Sequence, residues 1–136
     1  MGKSRGGRIV DLQLGPLPTD VINATLELEL EPGLVILSRG AQKHALSSHP
    51  NDYPICLPHV AAVVAEPLYI GDDFRNPGRI ELIGRVPAIG AFMLVAVTIE
   101  RDAAGRYNVC SFYPISDKKI QPRRERGFLR VAVRRR

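Results

Sequence analysis

The sequence predicts an α+β domain, with two N-terminal helices packed on a roughly four-stranded antiparallel sheet. Three observations lead there. Residues 39–65 carry a helical apolar pattern, interrupted at His49-Pro50. From residue 79 onward the period shifts to alternation and to short apolar runs divided by turn residues. The chain has 136 residues, 45% of them hydrophobic, which is one domain's length with enough apolar matter for a core.

The elements follow in order. Residues 8–14, RIVDLQL, alternate weakly as a strand does, and Pro16 and Pro18 interrupt what comes next. Residues 24–30, ATLELEL, alternate apolar and acidic, which predicts a strand with one wet face. Pro32-Gly33 is a turn, and LVILS after it reads as a short buried strand. Residues 39–48 suit a short helix with Ala45 and Leu46 inward. His49 precedes Pro50, and a residue before proline avoids the helical region. Asn51-Asp52 then offers an N-cap, with Pro54 in the first turn of a second, strongly apolar helix over 55–65, kinked at Pro58. Residues 79–86 alternate. Residues 91–100 form a continuous apolar strand central to the sheet. Asp102 to Gly105 turn the chain into its antiparallel partner, 106–113, and residues 127–133 close the set.

Composition narrows the function classes. No apolar run approaches the roughly 18–20 residues of a membrane helix. The start, MGKSRGG, is basic but lacks the apolar stretch of a signal peptide. Both points predict a cytoplasmic protein with no membrane partner. Cys56 and Cys110 read as two buried free thiols, and no Cys/His spacing suits zinc. No metal or cofactor is expected. The net charge of +5 is uneven: residues 118–136 hold nine basic residues against the single acid Glu125, a local +8, so the rest of the chain carries −3. A concentrated basic segment predicts a polyanionic partner, nucleic acid first and an acidic protein second.

Cutting RNA without a metal needs a base for the 2′-hydroxyl, an acid for the leaving 5′-oxygen, and donors for the charge on the phosphate. Imidazole is the natural proton carrier near neutrality. His44 and His49 share one stretch with the cations Arg39 and Lys43, which lie four apart on a helix. Lys43 and His44 diverge by about 100°. His59, inside the apolar helix, reads as structural. Ser111 and Tyr113 project to one face of a strand and could grip a phosphate or stack a base. Arg79 and Arg85 share a face of the neighbouring strand, where guanidinium groups suit phosphate. Lys118, Lys119 and Arg123 of the basic exit are further phosphate-binding candidates.

Four segments carry a family resemblance: ILSRGAQKHALSSHP, HVAAVVAEPLYI, FMLVAVTIERDAAGRYNVCSFYPIS and KKIQPRRERGFL. Together they resemble the phage-associated relatives of the barnase, EndoU, colicin and RelE-like nuclease superfamily, over roughly residues 34–130. The resemblance implies two helices on a four-stranded antiparallel sheet, and RNA cleavage, often of transfer RNA, by a toxin or phage effector. It places the helical histidine on His44 with His49 beside it, the sheet hydroxyl on Ser111 with Tyr113 close by, and cationic positions on Arg85 and on Lys118 or Lys119. Two departures stand out. Leu68 follows Pro67 where relatives often carry an acid, and Ser111 stands where they often carry Thr. A toxin would also imply an acidic antitoxin or immunity protein. The chain then divides into an arm with strands (1–33), a nuclease-like domain (34–133) and a basic tail (134–136).

The reading is thus a metal-independent endoribonuclease with His44, His49, Ser111 and Tyr113 in its active site. It expects His44, Ser111 and a cation to converge in one cleft. The alternatives are a nucleic-acid-binding domain without activity, for which the basic tail suffices, and a phage structural or packaging accessory.

Overall fold

The computed structural model describes residues 8–73 and 75–134. The arm read from residues 1–7, and Arg135 and Arg136 of the basic tail, lie outside the described residues. Among the described residues, seven strands form one sheet. They are β1 (Leu12–Pro16), β2 (Leu34–Leu37), β3 (Tyr69–Asp72), β4 (Arg79–Val86), β5 (Ala91–Thr98), β6 (Tyr107–Ile115) and β7 (Leu129–Val131), in the order β1-β2-β6-β5-β4-β3-β7. Neighbours run antiparallel except β2 and β6, which are parallel at Val35–Tyr107 and Ile36–Asn108.

The expectation of two N-terminal helices on four antiparallel strands is corrected by this topology. A strand and a helix, α1 (Thr19–Leu26), come before β2, and only then do α2 (Arg39–Ser48), α3 (Tyr53–Cys56), a 3₁₀ turn at Leu57–His59 and α4 (Val60–Ala65) follow. The long central meander β4-β5-β6 is legible in the sequence. β7 falls within the strand read over residues 127–133, whereas β3 is only four residues long, too short for alternation to register.

Segment 24–30 is likewise corrected. Its first residues finish α1, whose Ile22 and Thr25 are buried three apart on one helical face. Glu27 ends the helix in the left-handed region at φ 58°. Leu28 and Leu30 then run on without joining a strand. Their alternation still serves burial, since both pack on the core. The Asn23 side chain substitutes for a strand partner: its carbonyl oxygen accepts from Leu30 N (2.9 Å) and its amide donates to Leu30 O (3.1 Å).

The sheet has two unlike faces. Ile80, Leu82, Met93, Val95, Val97 and Phe112 point into the main core, together with Ile22, Val60 and Val64 of the helices. Gly84 of β4 lets α4 approach so closely that an added Cβ would lie 3.1 Å from Val63. Its neighbour Ile83 points the opposite way, into a smaller cluster with Tyr69, Leu94, Ile115 and Leu129. That second face is covered by α5 (Asp117–Glu125), through its fully buried Ile120. Cys56 is buried and Cys110 only half-buried; both are free thiols. No helix among the described residues is long and apolar enough to cross a membrane.

Candidate functional site

The face under α5 carries the polar residues, and pairing register says which of them meet. On β4, alternation sends Arg79, Glu81, Ile83 and Arg85 to this side. Gly71 of β3 pairs with Glu81, Glu81 with Ala96 of β5, and Ala96 with Ser111 of β6. Glu81 therefore sits between a glycine and an alanine, with no bulk on either flank. The next row reads Tyr69, Ile83, Leu94, Tyr113. A bulge in β6 makes this possible. Val109 pairs with Val97 and Ser111 with Ala96, so Cys110 is an extra residue. In a regular strand without this bulge, Ser111 and Tyr113 would lie on the same face as Val109 and point into the main core.

Above Glu81 lies α5. Its Arg123 Nη1 is 3.1 Å from Glu81 Oε1, and the side chains are 30% and 13% exposed, so the carboxylate is the more withdrawn from water. Burial pushes the Glu81 carboxyl above the usual range. Arg123 pulls it back, Asp73 raises it, and Arg75 lowers it. The Tyr113 phenol is also raised, by burial first and by Glu81 next, against the charge and hydrogen bond of Arg123. It is therefore kept as a neutral O–H. His49, which caps the C-terminus of α2, has its ring centroid 6.3 Å from that of Tyr113. Pairwise contacts thus link Glu81 to Arg123, Arg123 to Tyr113, and Tyr113 to His49, while Asp73 shares a cleft with Glu81. Next to Glu81 opens a cleft of about 140 Å³, lined also by Asp72, Arg126 and Phe128.

The local sequence explains how α5 is held. Ser116 precedes the helix in extended conformation, and Asp117 accepts from Gln121 at 3.0 Å. Arg124 lies over the Tyr69 ring at 4.9 Å. The C-terminus closes with Gly127 N on Arg124 O (3.0 Å) and Phe128 N on Arg123 O (2.8 Å), with Gly127 left-handed at φ 79°. This glycine stop fixes the turn that bears Arg123. Lys119, Arg123 and Arg126 follow at spacings of four and three, which sets three cations along one flank.

The expected site residues fall in three places. Tyr113, Arg123 and Ser111 belong to the face just described, and His49 stands beside Tyr113; Ser111 is half-buried one strand beyond Ala96. Arg85 is on the same face but four residues along β4, roughly 13 Å away, with its guanidinium 5.1 Å from the Phe92 ring centroid. Lys118 and Lys119 are exposed on α5. His44, Lys43 and Arg39 are exposed on α2, whose Ala45 packs into the main core on the other side of the sheet. Among the described residues no hydrogen bond or ion pair joins His44 to Ser111. The imidazole that reaches the sheet's hydroxyl-bearing strand is His49. His59 lies half-buried in its 3₁₀ turn.

Two residues escape a reading of the sequence alone: Glu81 and Asp73. Glu81 has a signal, since RIELIGRV places it by parity with Arg79 and Arg85, one acid between two cations on a single wet face. Asp73 has none, because its role depends on β3 pairing with β4.

The model of the family described as phage-Barnase-EndoU-ColicinE5/D-RelE like nuclease3 matches residues 13–122. The chain belongs to this family. The match spans β1 through most of α5, and so takes in Glu81, Tyr113 and His49; it ends one residue before Arg123. No curated protein and no solved structure matches the chain. It carries a half-buried carboxylate, an arginine and a phenol beneath α5, with an imidazole next to the phenol.

Proposed function

We propose that this protein is an endoribonuclease that cleaves RNA by 2′-hydroxyl attack on the adjacent phosphate, with Glu81 as the base and His49 as the acid. The observation that carries the reading is the Glu81–Arg123 pair between the sheet and α5, 3.1 Å apart. A carboxylate raised by burial is a better proton acceptor than an exposed one, and a guanidinium beside it is placed for phosphate charge.

Glu81 takes the 2′-hydroxyl proton, and the 2′-oxygen bonds to phosphorus. Arg123 and the Tyr113 hydroxyl donate to the non-bridging oxygens as their charge builds. The bond to the 5′-oxygen breaks, and a protonated His49 supplies the proton that oxygen needs. The products are a 2′,3′-cyclic phosphate and a 5′-hydroxyl. DNA lacks the attacking group and is spared. The flank of Lys119, Arg123 and Arg126 suits the phosphates of a longer RNA such as transfer RNA. The same flank fits an acidic inhibitor protein, as a toxin or phage effector would need.

Incubation with total transfer RNA in EDTA tests the reading. Fragments ending in cyclic phosphate are expected, and a 2′-deoxy substitution at the cleaved nucleotide should block that cut. Cutting that survives this substitution, or that requires a divalent ion, contradicts the mechanism. Binding without cutting is the competing reading, favoured by the exposed cations of α5. Under it, the wild-type protein leaves RNA intact while retaining salt-sensitive affinity.

A further inference from the structure

Asp73 stands just past the end of β3 and lines the same cleft as Glu81. Its carboxylate is held by neutral donors. Oδ1 accepts from Arg75 N and Asn76 N, both at 3.2 Å, and the Asn76 amide reaches both oxygens, at 3.3 and 3.0 Å. The turn is closed by Asp73 N on Arg79 O and Asn76 N on Asp73 O. This carboxylate is therefore fixed in direction, and among the described residues it makes no ion pair. Among the described residues the ion pairs are Arg106–Asp102, Arg123–Glu81 and Arg130–Glu27. Asp73 lines the cleft beside Glu81.

Glu81 is met by Arg123 from α5, Tyr113 from β6, and Asp73 and Arg75 from the segment joining β3 to β4. An arginine at 3.1 Å, acting alone, favours the ionised carboxylate and makes it a poor proton acceptor. Burial opposes that pull first, and a second carboxylate adds to the opposition. We propose that Asp73 is a positioning residue for the Glu81 reaction: a locked negative charge, without a cation of its own, that keeps Glu81 a competent proton acceptor beside Arg123. Asp73 touches no reacting atom. It acts on Glu81 through the field across the cleft, and the amide of Asn76 holds it in place. The inference rests on the reading of Glu81 as the base.

The test uses the full chain and two readouts. The first is the titration of the Glu81 side-chain carboxyl carbon by NMR, without RNA. The second is the pH profile of kcat/KM on a short RNA. In Asp73→Asn, the Glu81 midpoint and the acid limb of the profile should both move to lower pH. Asp73→Glu should return them toward wild type. Asp20→Asn, which removes an exposed charge in the first turn of α1, away from the cleft, should leave the Glu81 midpoint where it was. If Asp73→Asn fails to fold, Asp73→Ser keeps an acceptor for the turn and serves in its place. An unchanged Glu81 midpoint in a folded variant overturns the inference, whatever the protein does to RNA. A midpoint that falls in a protein that cuts no RNA upholds the coupling and sinks the nuclease reading instead.

Discussion

Glu81 sits under opposing demands. A base must be withdrawn from water to bind protons near neutrality, and that withdrawal disfavours its charged form in the folded protein. The linkage has a definite sign. Its native carboxyl titrates above the unfolded value, so its stabilising contribution is present below the ordinary glutamate range and lost as pH rises through the native value. Glu81→Gln removes that loss. The variant should melt higher than wild type at pH 7, with the gap narrowing toward pH ~4, as scanning calorimetry at both pH values can show. Stability gained at the cost of activity is the mark of a functional strained group. The histidines separate at the same scale. His49→Ala should slow cleavage by about 10²-fold or more, whereas His44→Ala should cut at nearly the wild-type rate. Rates measured side by side decide this; equal losses would bring His44 back into the site.

Among the elements, α5 is the least legible in the sequence. DKKIQPRRE holds a single apolar residue, so no periodicity announces a helix, and Pro122 inside it argues against one. Its signals are the serine before it and Gly127 after it. One buried side chain, Ile120, anchors the helix to the sheet. Ile120→Ala should cost about 2–5 kcal/mol in denaturant unfolding and lower activity by releasing Arg123. The β5–β6 turn, by contrast, is plain in the sequence from Asp102 to Gly105. Asp102 accepts from Ala104 N, Arg106 N and the Asn108 amide, which holds its carboxyl down at about 2. The stability from this lowered group is present above the unfolded value and lost as pH falls through about 2. Asp102→Asn should therefore destabilise the hairpin at neutral pH, and its deficit should shrink below pH ~4. Proteolysis or hydrogen exchange of the turn reads the difference.

At the scale of the whole molecule, the central meander and the helical segment are legible because they are long and strongly patterned. The full sheet is not. Its outer strands are short, and the parallel β2–β6 pair joins segments some 70 residues apart, which no local pattern encodes. The site follows the same rule. Residues on one strand, such as Ser111 and Tyr113, can be assigned a common face from alternation. The meeting of Glu81 with Arg123 joins β4 to α5 across 42 positions and depends on the register of three strands. The charge distribution also works at this scale. Removing Lys119 or Arg126 should weaken RNA binding and reduce the slope of log affinity against log salt by about 0.7 for each phosphate left without its cation. The most direct test of the account is the single-turnover cleavage rate of Glu81→Gln against wild type, in EDTA and saturating RNA. A loss of about 10²–10⁴-fold is predicted, with RNA affinity and circular dichroism unchanged. A variant that cuts within about twofold of the wild-type rate, a change of less than about 0.5 kcal/mol in barrier, would contradict it.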